Sequence, residues 1–154
     1  MDIAEVLQHT SPELFLPELE AGDKAGVLAE LVAGLVAGSP TITKQDAVLQ
    51  MLESREALGS TAVGPGVAFP HGRTLAVQRL TVLIARSSQG VDFDSVDGEA
   101  THLFFVLIAP PQDSGHKYIK SLAALTDRLQ DDTLREKLMA APDYESFCAA
   151  FVEE

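Results

Sequence analysis

The chain has a single cysteine, Cys148, and no tryptophan. One thiol cannot close an internal disulfide, which agrees with a reducing compartment. Basic residues are scarce: 11 Lys and Arg stand against 23 Asp and Glu, for a formal net charge of −12. Binding to nucleic acid rests on neutralising phosphates with Lys and Arg, so this balance argues against it, and it equally disfavours an anionic membrane surface. What remains is a basic protein partner, or solubility alone. Long apolar runs are also missing. The longest, Leu103 to Ala109, has the length of a strand and falls far short of the roughly 18 residues a membrane span needs. The opening Met1-Asp2-Ile3-Ala4-Glu5 has no basic region followed by an apolar one, so no signal peptide is expected and the cytoplasm is the expected location.

The 154 residues contain no internal repeat, low-complexity tract or dividing linker, and read as one domain over residues 1–154. Leu14 to Leu16 could form an edge strand. Val27, Leu28, Leu31, Val32, Leu35 and Val36 share one face at helical spacing, with Asp23 as N-cap and Gly38-Ser39-Pro40 as terminator. A second helix is expected from Thr43, whose spacing to Asp46 resembles a capping box, towards Arg55. Val67 to Phe69, Leu80 to Ala85 and His102 to Ile108 have strand lengths, the latter two reading as buried central strands. A third helix is expected from Asp113 or Ser114, carrying Tyr118, Ile119, Leu122, Leu125 and Leu129 on one face. Thr133 with Glu136 suggests another capping box, and Asp143 should start a last helix through Phe151. Helices before, between and after strands imply an α/β fold, a mixed β-sheet flanked by helices in one layered domain.

The segment from Arg55 to Gly72 carries the chemistry. It sets an arginine at a helix end, then hydroxyls and glycines in a loop, then a short strand leading to His71. Pro65-Gly66 suits the centre of a type II turn, where the second central residue needs a positive φ. Pro70 fixes its own φ and drives Phe69 towards an extended conformation, and Gly72 leaves the approach to the imidazole open. A neutral imidazole holds a lone pair and can act as a nucleophile towards phosphorus. Arg55 could then supply a fork of donors to the phosphate oxygens, and Ser60, Thr61 and the loop amides, Gly66 among them, neutral donors. His116, placed in the first turn of the third helix if Ser114 caps it, would be kept neutral by the helix dipole and could orient His71 or its phosphate.

Each of these residues has a plainer reading too. Arg55 could meet helix-terminal carbonyls, Ser60 and Thr61 could cap or turn, and His116 could be a surface residue. A metal site built from His71, His116 and Asp113 lacks the close-set ligand pair of zinc motifs, so neither metal nor cofactor is expected. His9 and His102 belong to no motif, and Cys148 lies within the apolar pattern of the last helix and is read as packing.

The run REALGSTAVGPGVAFPH, residues 55–71, resembles the mannitol/fructose-class A component of the bacterial phosphoenolpyruvate-dependent sugar phosphotransferase system, including its nitrogen-regulatory relatives. That family's pattern is R-E-x-x-G-S-T, a glycine loop, then G-[IV]-A-[IVF]-P-H. The stretches VDFDSVDGEATHLFFVLIAP and GHKYIKSLAALTDRLQDDTLREKL extend the resemblance over nearly the whole chain. It implies that His71 is the phosphorylated histidine, Arg55 its phosphate-side arginine and His116 a second active-site histidine. It further implies a mixed sheet flanked by helices and a small histidine-containing phosphocarrier as donor. The acceptor would be a cysteine on a class B sugar-transport component or, in the regulatory version, the phosphorylation state would control partner proteins. Ala62 stands where glycine is usual and Pro65 where asparagine is common, while the arginine, the hydroxyls and the histidine are in place.

Overall fold

The computed structural model describes residues 1–153. Its helices are α1 (Ile3–Val6), α2 (Lys24–Gly38), α3 (Gln45–Ala57), α4 (Lys117–Arg128), α5 (Asp132–Ala140) and α6 (Tyr144–Val152). Its strands are β1 (Phe15–Leu16), β2 (Val67–Ala68), β3 (His71–Arg73), β4 (Thr81–Val91) and β5 (Thr101–Ala109), and they form one mixed five-stranded sheet. The strand order is β1-β4-β5-β2, with β3 also on β5. β4 and β5 are antiparallel, whereas β1 runs parallel to β4 and both β2 and β3 run parallel to β5. β2 and β3 thus lie end to end along one edge, and their two-residue interruption is Phe69-Pro70. Proline has no N–H for a ladder and is tolerated at such an edge.

The two central strands explain their unbroken apolar runs. Val82, Ile84, Leu103, Phe105 and Leu107 project to one face, where they pack with residues of α1, α4, α5 and α6 such as Val6, Leu125, Leu138, Phe147 and Phe151. Leu83, Ala85, Phe104, Val106 and Ile108 project to the other, against Val27, Leu31 and Leu35 of α2 and Val48 and Leu52 of α3. A strand covered on both faces needs apolar side chains at every position, not at alternate ones. The expected α/β fold is the one found: a mixed sheet with helices on both sides.

Several local expectations hold. Phe15–Leu16 is an edge strand, and the carboxylates of Asp23 and Asp143 cap α2 and α6 by accepting from Gly26 and Ser146 N–H. Others are corrected. α3 starts at Gln45 with Lys44 as its N-cap and no side-chain capping bond, so the Thr43–Asp46 box does not form. α5 is capped by Asp131, whose carboxylate accepts from the Thr133 and Leu134 N–H groups, in place of Thr133. Ile119 is exposed, off the buried face of α4. β4 continues past Ala85 to Val91 because the polar Arg86 can be buried. Its guanidinium donates to the carbonyls of Pro17, Leu138 and Ala141 at 3.1, 2.9 and 2.7 Å and lies over the Phe15 ring.

Candidate active site

His71 opens β3, in place of ending the strand before it, and pairs in register with Leu107 of β5. Its half-buried ring faces α4, with its centroid 6.0 Å from that of Tyr118. The ring Nδ1 lies 2.6 Å from the carbonyl oxygen of Phe69. A carbonyl can only accept, so Nδ1 carries the proton of the neutral ring and the lone pair sits on Nε2. The imidazole therefore presents Nε2 as its nucleophilic atom.

Arg73, two residues on and hence on the same side of the strand, was not singled out by the sequence. Its guanidinium lies 4.8 Å from the Tyr118 ring centroid and donates to the Pro111 carbonyl at 3.3 Å. Burial pushes the Tyr118 phenol up from its ordinary pKa, while the charges of Arg73 and Arg55 pull it down. Two cations thus act on the ring that flanks His71, in a chain that is strongly acidic overall.

Arg55 sits in the last turn of α3 and donates to the Gly59 carbonyl at 2.8 Å. The Ser60 hydroxyl donates to the Phe93 carbonyl at 2.7 Å and accepts from Ala62 N–H at 3.0 Å. Thr61 is buried, and both its N–H and its hydroxyl donate to the carboxylate of Glu56. Both hydroxyls are engaged in holding the loop. Glu56, inside the R-E-x-x-G-S-T run, has no role assigned by the sequence pattern. It is only 7 % exposed and pairs with Lys24 at 2.9 Å, and Lys24 also reaches Asp94 and lies over the Phe93 ring. The signal available in the sequence was an acidic residue at a position where α3 turns its buried side to the sheet.

The loop returns along the edge strand in antiparallel fashion. Val63 N–H donates to Val67 O at 3.2 Å, Phe69 N–H donates to Thr61 O at 3.0 Å, and Ala62 bridges Ala68. This brings Thr61 beside Phe69, two residues from His71. Gly66 is not brought there. It precedes Val67 at the far end of the edge, five residues and about 16 Å of extended chain from His71, and its carbonyl accepts from His102 and Leu103 N–H. Gly66 takes the positive φ expected of it, +76°, and a cis peptide joins Gly64 to Pro65.

His116 is exposed and takes a left-handed conformation, φ 56°, at the N-cap of α4. A short 3-10 turn, Ser114–His116, precedes the helix, so His116 lies before its first turn and not within it. The Asp113 carboxylate accepts the Tyr118 N–H. The expected capping by the Ser114 side chain lies outside the described residues. No hydrogen bond joins His116 to His71 among the described residues, but His116 is two residues from the ring that packs on His71. Gly72, expected to leave the imidazole accessible, answers to an internal contact: a Cβ there would overlap the Met51 sulfur of α3. No group of three or more His, Cys, Asp or Glu residues is placed to hold a metal among the described residues. Two concavities, of about 540 and 640 Å³, are lined by residues other than His71.

The sequence matches the family described as "Phosphoenolpyruvate-dependent sugar phosphotransferase system, EIIA 2" over residues 8–154. The chain belongs to this family. A nitrogen regulatory protein from Bradyrhizobium diazoefficiens is 39 % identical over 133 residues, covering 86 % of this chain and 85 % of the relative. The fructose-specific EIIA component of Haloferax volcanii is 34 % identical over 141 residues, 92 % of this chain and 90 % of the relative. Among solved structures, the nitrogen regulatory protein IIA-Ntr of Neisseria meningitidis superposes with a TM-score of 0.87 at 28 % identity, over 96 % of this chain and 99 % of that one. The mannitol IIA of Escherichia coli shares the fold, with a TM-score of 0.76 over 92 % and 98 % of the two chains. The family thus contains both sugar-specific and nitrogen-regulatory relatives of this EIIA domain, and no helix here is long and apolar enough to cross a membrane among the described residues.

Proposed function

We propose that the protein is a phosphoryl carrier that accepts its phosphoryl group on Nε2 of His71 from a histidine-containing phosphocarrier and passes it to a protein acceptor. The observation that carries this reading is the bond from Nδ1–H to the Phe69 carbonyl, which leaves the lone pair on Nε2 of a histidine in the family's motif. In an in-line transfer the P–N bond to the donor's imidazole breaks as a P–Nε2 bond forms. The proton on Nδ1 stays in place against the Phe69 carbonyl and the donor nitrogen recovers its lone pair. The phosphoryl charge is met by Arg55, Arg73 and His116, which act by position and charge without metal or cofactor, while Ser60 and Thr61 hold the loop beside the site. An open site suits transfer between two proteins, and the cytoplasm is where a soluble phosphocarrier would meet it. The whole chain, residues 1–154, serves as a single carrier domain.

The acceptor is a class B sugar-transport component in the first reading, as for the fructose-specific relative. A regulatory role, in which phosphorylation controls partner proteins, is favoured by the 39 % identity and the 0.87 TM-score to nitrogen regulatory proteins. Intact-mass measurement after incubation with phosphoenolpyruvate, the general phosphotransferase enzyme and the phosphocarrier tests the carrier role. One acid-labile phosphate is expected in the wild type and none in His71→Ala. Absence of the phosphate with an active donor overturns the proposal. Adding a class B component then separates the two roles: loss of the label to it means transport, and retention means regulation.

A further inference from the structure

The geometry points to Glu56 as a positioning residue that fixes the tautomer of His71 from beneath the loop. Three hydrogen bonds connect them. Thr61 N–H donates to Glu56 Oε2 at 3.2 Å, Phe69 N–H donates to the Thr61 carbonyl at 3.0 Å, and His71 Nδ1–H donates to the Phe69 carbonyl at 2.6 Å. Glu56 is itself fixed, since Lys24 Nζ stands 2.9 Å from the same Oε2 and the Thr61 hydroxyl donates to Oε1. Each link passes through a Cα and not through a single peptide group, so the chain of bonds transmits position and not charge. Pro70 reinforces it, because its ring restricts Phe69 to extended conformations, and the Thr61 contact then acts together with the pairing of Ala68 and His71 to β5 in setting where the Phe69 carbonyl points. A carbonyl held in line with Nδ1–H keeps that proton on Nδ1 and the lone pair on Nε2. A carbonyl free to turn lets the ring populate the other tautomer, whose Nε2 bears a proton and cannot attack phosphorus.

The purpose of a buried carboxylate is otherwise hard to account for here. Burying an ion pair gains little over an apolar pair of the same shape, whereas this one holds two donors of a single residue against the start of the reactive edge strand. The inference rests on Nε2 as the phosphoryl acceptor, and it is tested on the unphosphorylated protein.

The experiment is 15N nuclear magnetic resonance of the His71 ring, at a pH where the ring is neutral, in wild type, Glu56→Gln and Thr61→Val. Glutamine keeps the shape but gives up the carboxylate charge, which weakens both the Lys24 pair and the bond accepted from Thr61 N–H. It should lower the ratio of Nδ1–H to Nε2–H tautomer by about fivefold, the equivalent of one net hydrogen bond. Thr61→Val removes the hydroxyl but keeps the main-chain N–H, and should leave the ratio within about twofold of wild type, the main-chain link being intact. The rate of phosphoryl acceptance should follow the fraction of the ring in the Nδ1–H tautomer in Glu56→Gln. An unchanged ratio in a folded Glu56→Gln overturns the inference, as does an equal loss in both variants. Hydrogen exchange on the wild type supplies a reading that needs no variant: the Thr61 and Phe69 amides should be protected like those of β5, and exchange at the rate of exposed loop amides also overturns it. Failure of the wild type to accept phosphate would instead strike the carrier role and leave the tautomer result standing.

Discussion

Gly72→Ala should be destabilising for a reason that a second substitution can remove. Gly72 lies in β3, outside the left-handed region, so alanine suits its backbone. A Cβ built there overlaps Met51 Sδ and comes within 3.1 and 3.3 Å of its Cε and Cγ. The obstructing atoms belong to a flexible side chain, so rotation relieves part of the clash, and the cost should be about 1–2 kcal/mol, within the usual range for overpacking. In a Met51→Ala background the obstruction is gone, and the same change should be neutral or stabilise by about 0.4–1 kcal/mol through the unfolded chain. The two sites should therefore couple by about 1–3 kcal/mol. Urea unfolding followed by far-ultraviolet circular dichroism gives all four corners of the cycle. Equal costs of Gly72→Ala in both backgrounds would refute the contact. The functional corollary follows from helix geometry. Met51 and Arg55 are four residues apart on α3 and share a face, so a shifted Met51 moves Arg55 relative to β3. Phosphoryl acceptance should slow about tenfold or more in the single variant and recover in the double one.

Arg86→Lys should cost about 2 kcal/mol or more in urea unfolding, since one ammonium cannot replace a fork that meets four separate backbone carbonyls; a change within error would show those carbonyls to be otherwise solvated. The Asp143 carboxylate is held below its ordinary pKa by hydrogen bonds from Ser146. Its contribution to stability is present above about pH 4 and lost as pH falls through the lowered folded value. Asp143→Ala should flatten that part of the acid-unfolding curve, and an unaltered slope would show the cap to be inactive. Burial pushes the Cys148 thiol up from its usual pKa, so labelling by a thiol reagent at neutral pH should be slower than for a free thiol; equal rates would contradict the burial. If the acidic surface guides a basic donor, the rate of phosphoryl acceptance should fall as salt rises from about 0.05 to 0.5 M, and a salt-independent rate would exclude such steering.

The parts of the fold legible in the sequence are those decided by burial and by short-range caps. β5 is readable because both of its faces are covered, and α2 and α6 because Asp23 and Asp143 precede their apolar faces. The misreadings are places where a neighbour in space outranks a neighbour in sequence. Thr43 and Asp46 have capping-box spacing, yet α3 begins two residues after Thr43, and Asp131 reaches the first amides of α5 before Thr133 can. Arg86 looks like the end of a strand until the carbonyls of Pro17, Leu138 and Ala141, from distant segments, are seen to receive it. Within the candidate site, the motif singles out His71 and Arg55 as the expected carriers of the chemistry. Glu56 is not legible there, because an acidic residue near the end of a helix ordinarily faces water, and only the fold brings Lys24 from α2 to meet it.

The edge position of the site follows from the same architecture. The central strands are sealed by helices on both faces, so no side chain there could reach a partner protein. At the edge formed by β2 and β3 the Thr61–Val63 loop pairs along Val67 to Phe69, and Pro70, which has no N–H, interrupts any ladder that would run on to His71. That leaves His71 exposed enough to be approached but tied to β5 by register and to Phe69 by its ring. The loop that precedes it adds the remaining restraint from the side opposite α4: Glu56 and Lys24 below, Phe93 and Val96 alongside. On the carrier reading proposed above, a nucleophile that meets two different proteins cannot be buried for precision, and the bond made behind the ring, from Nδ1 to the Phe69 carbonyl, would supply that precision instead.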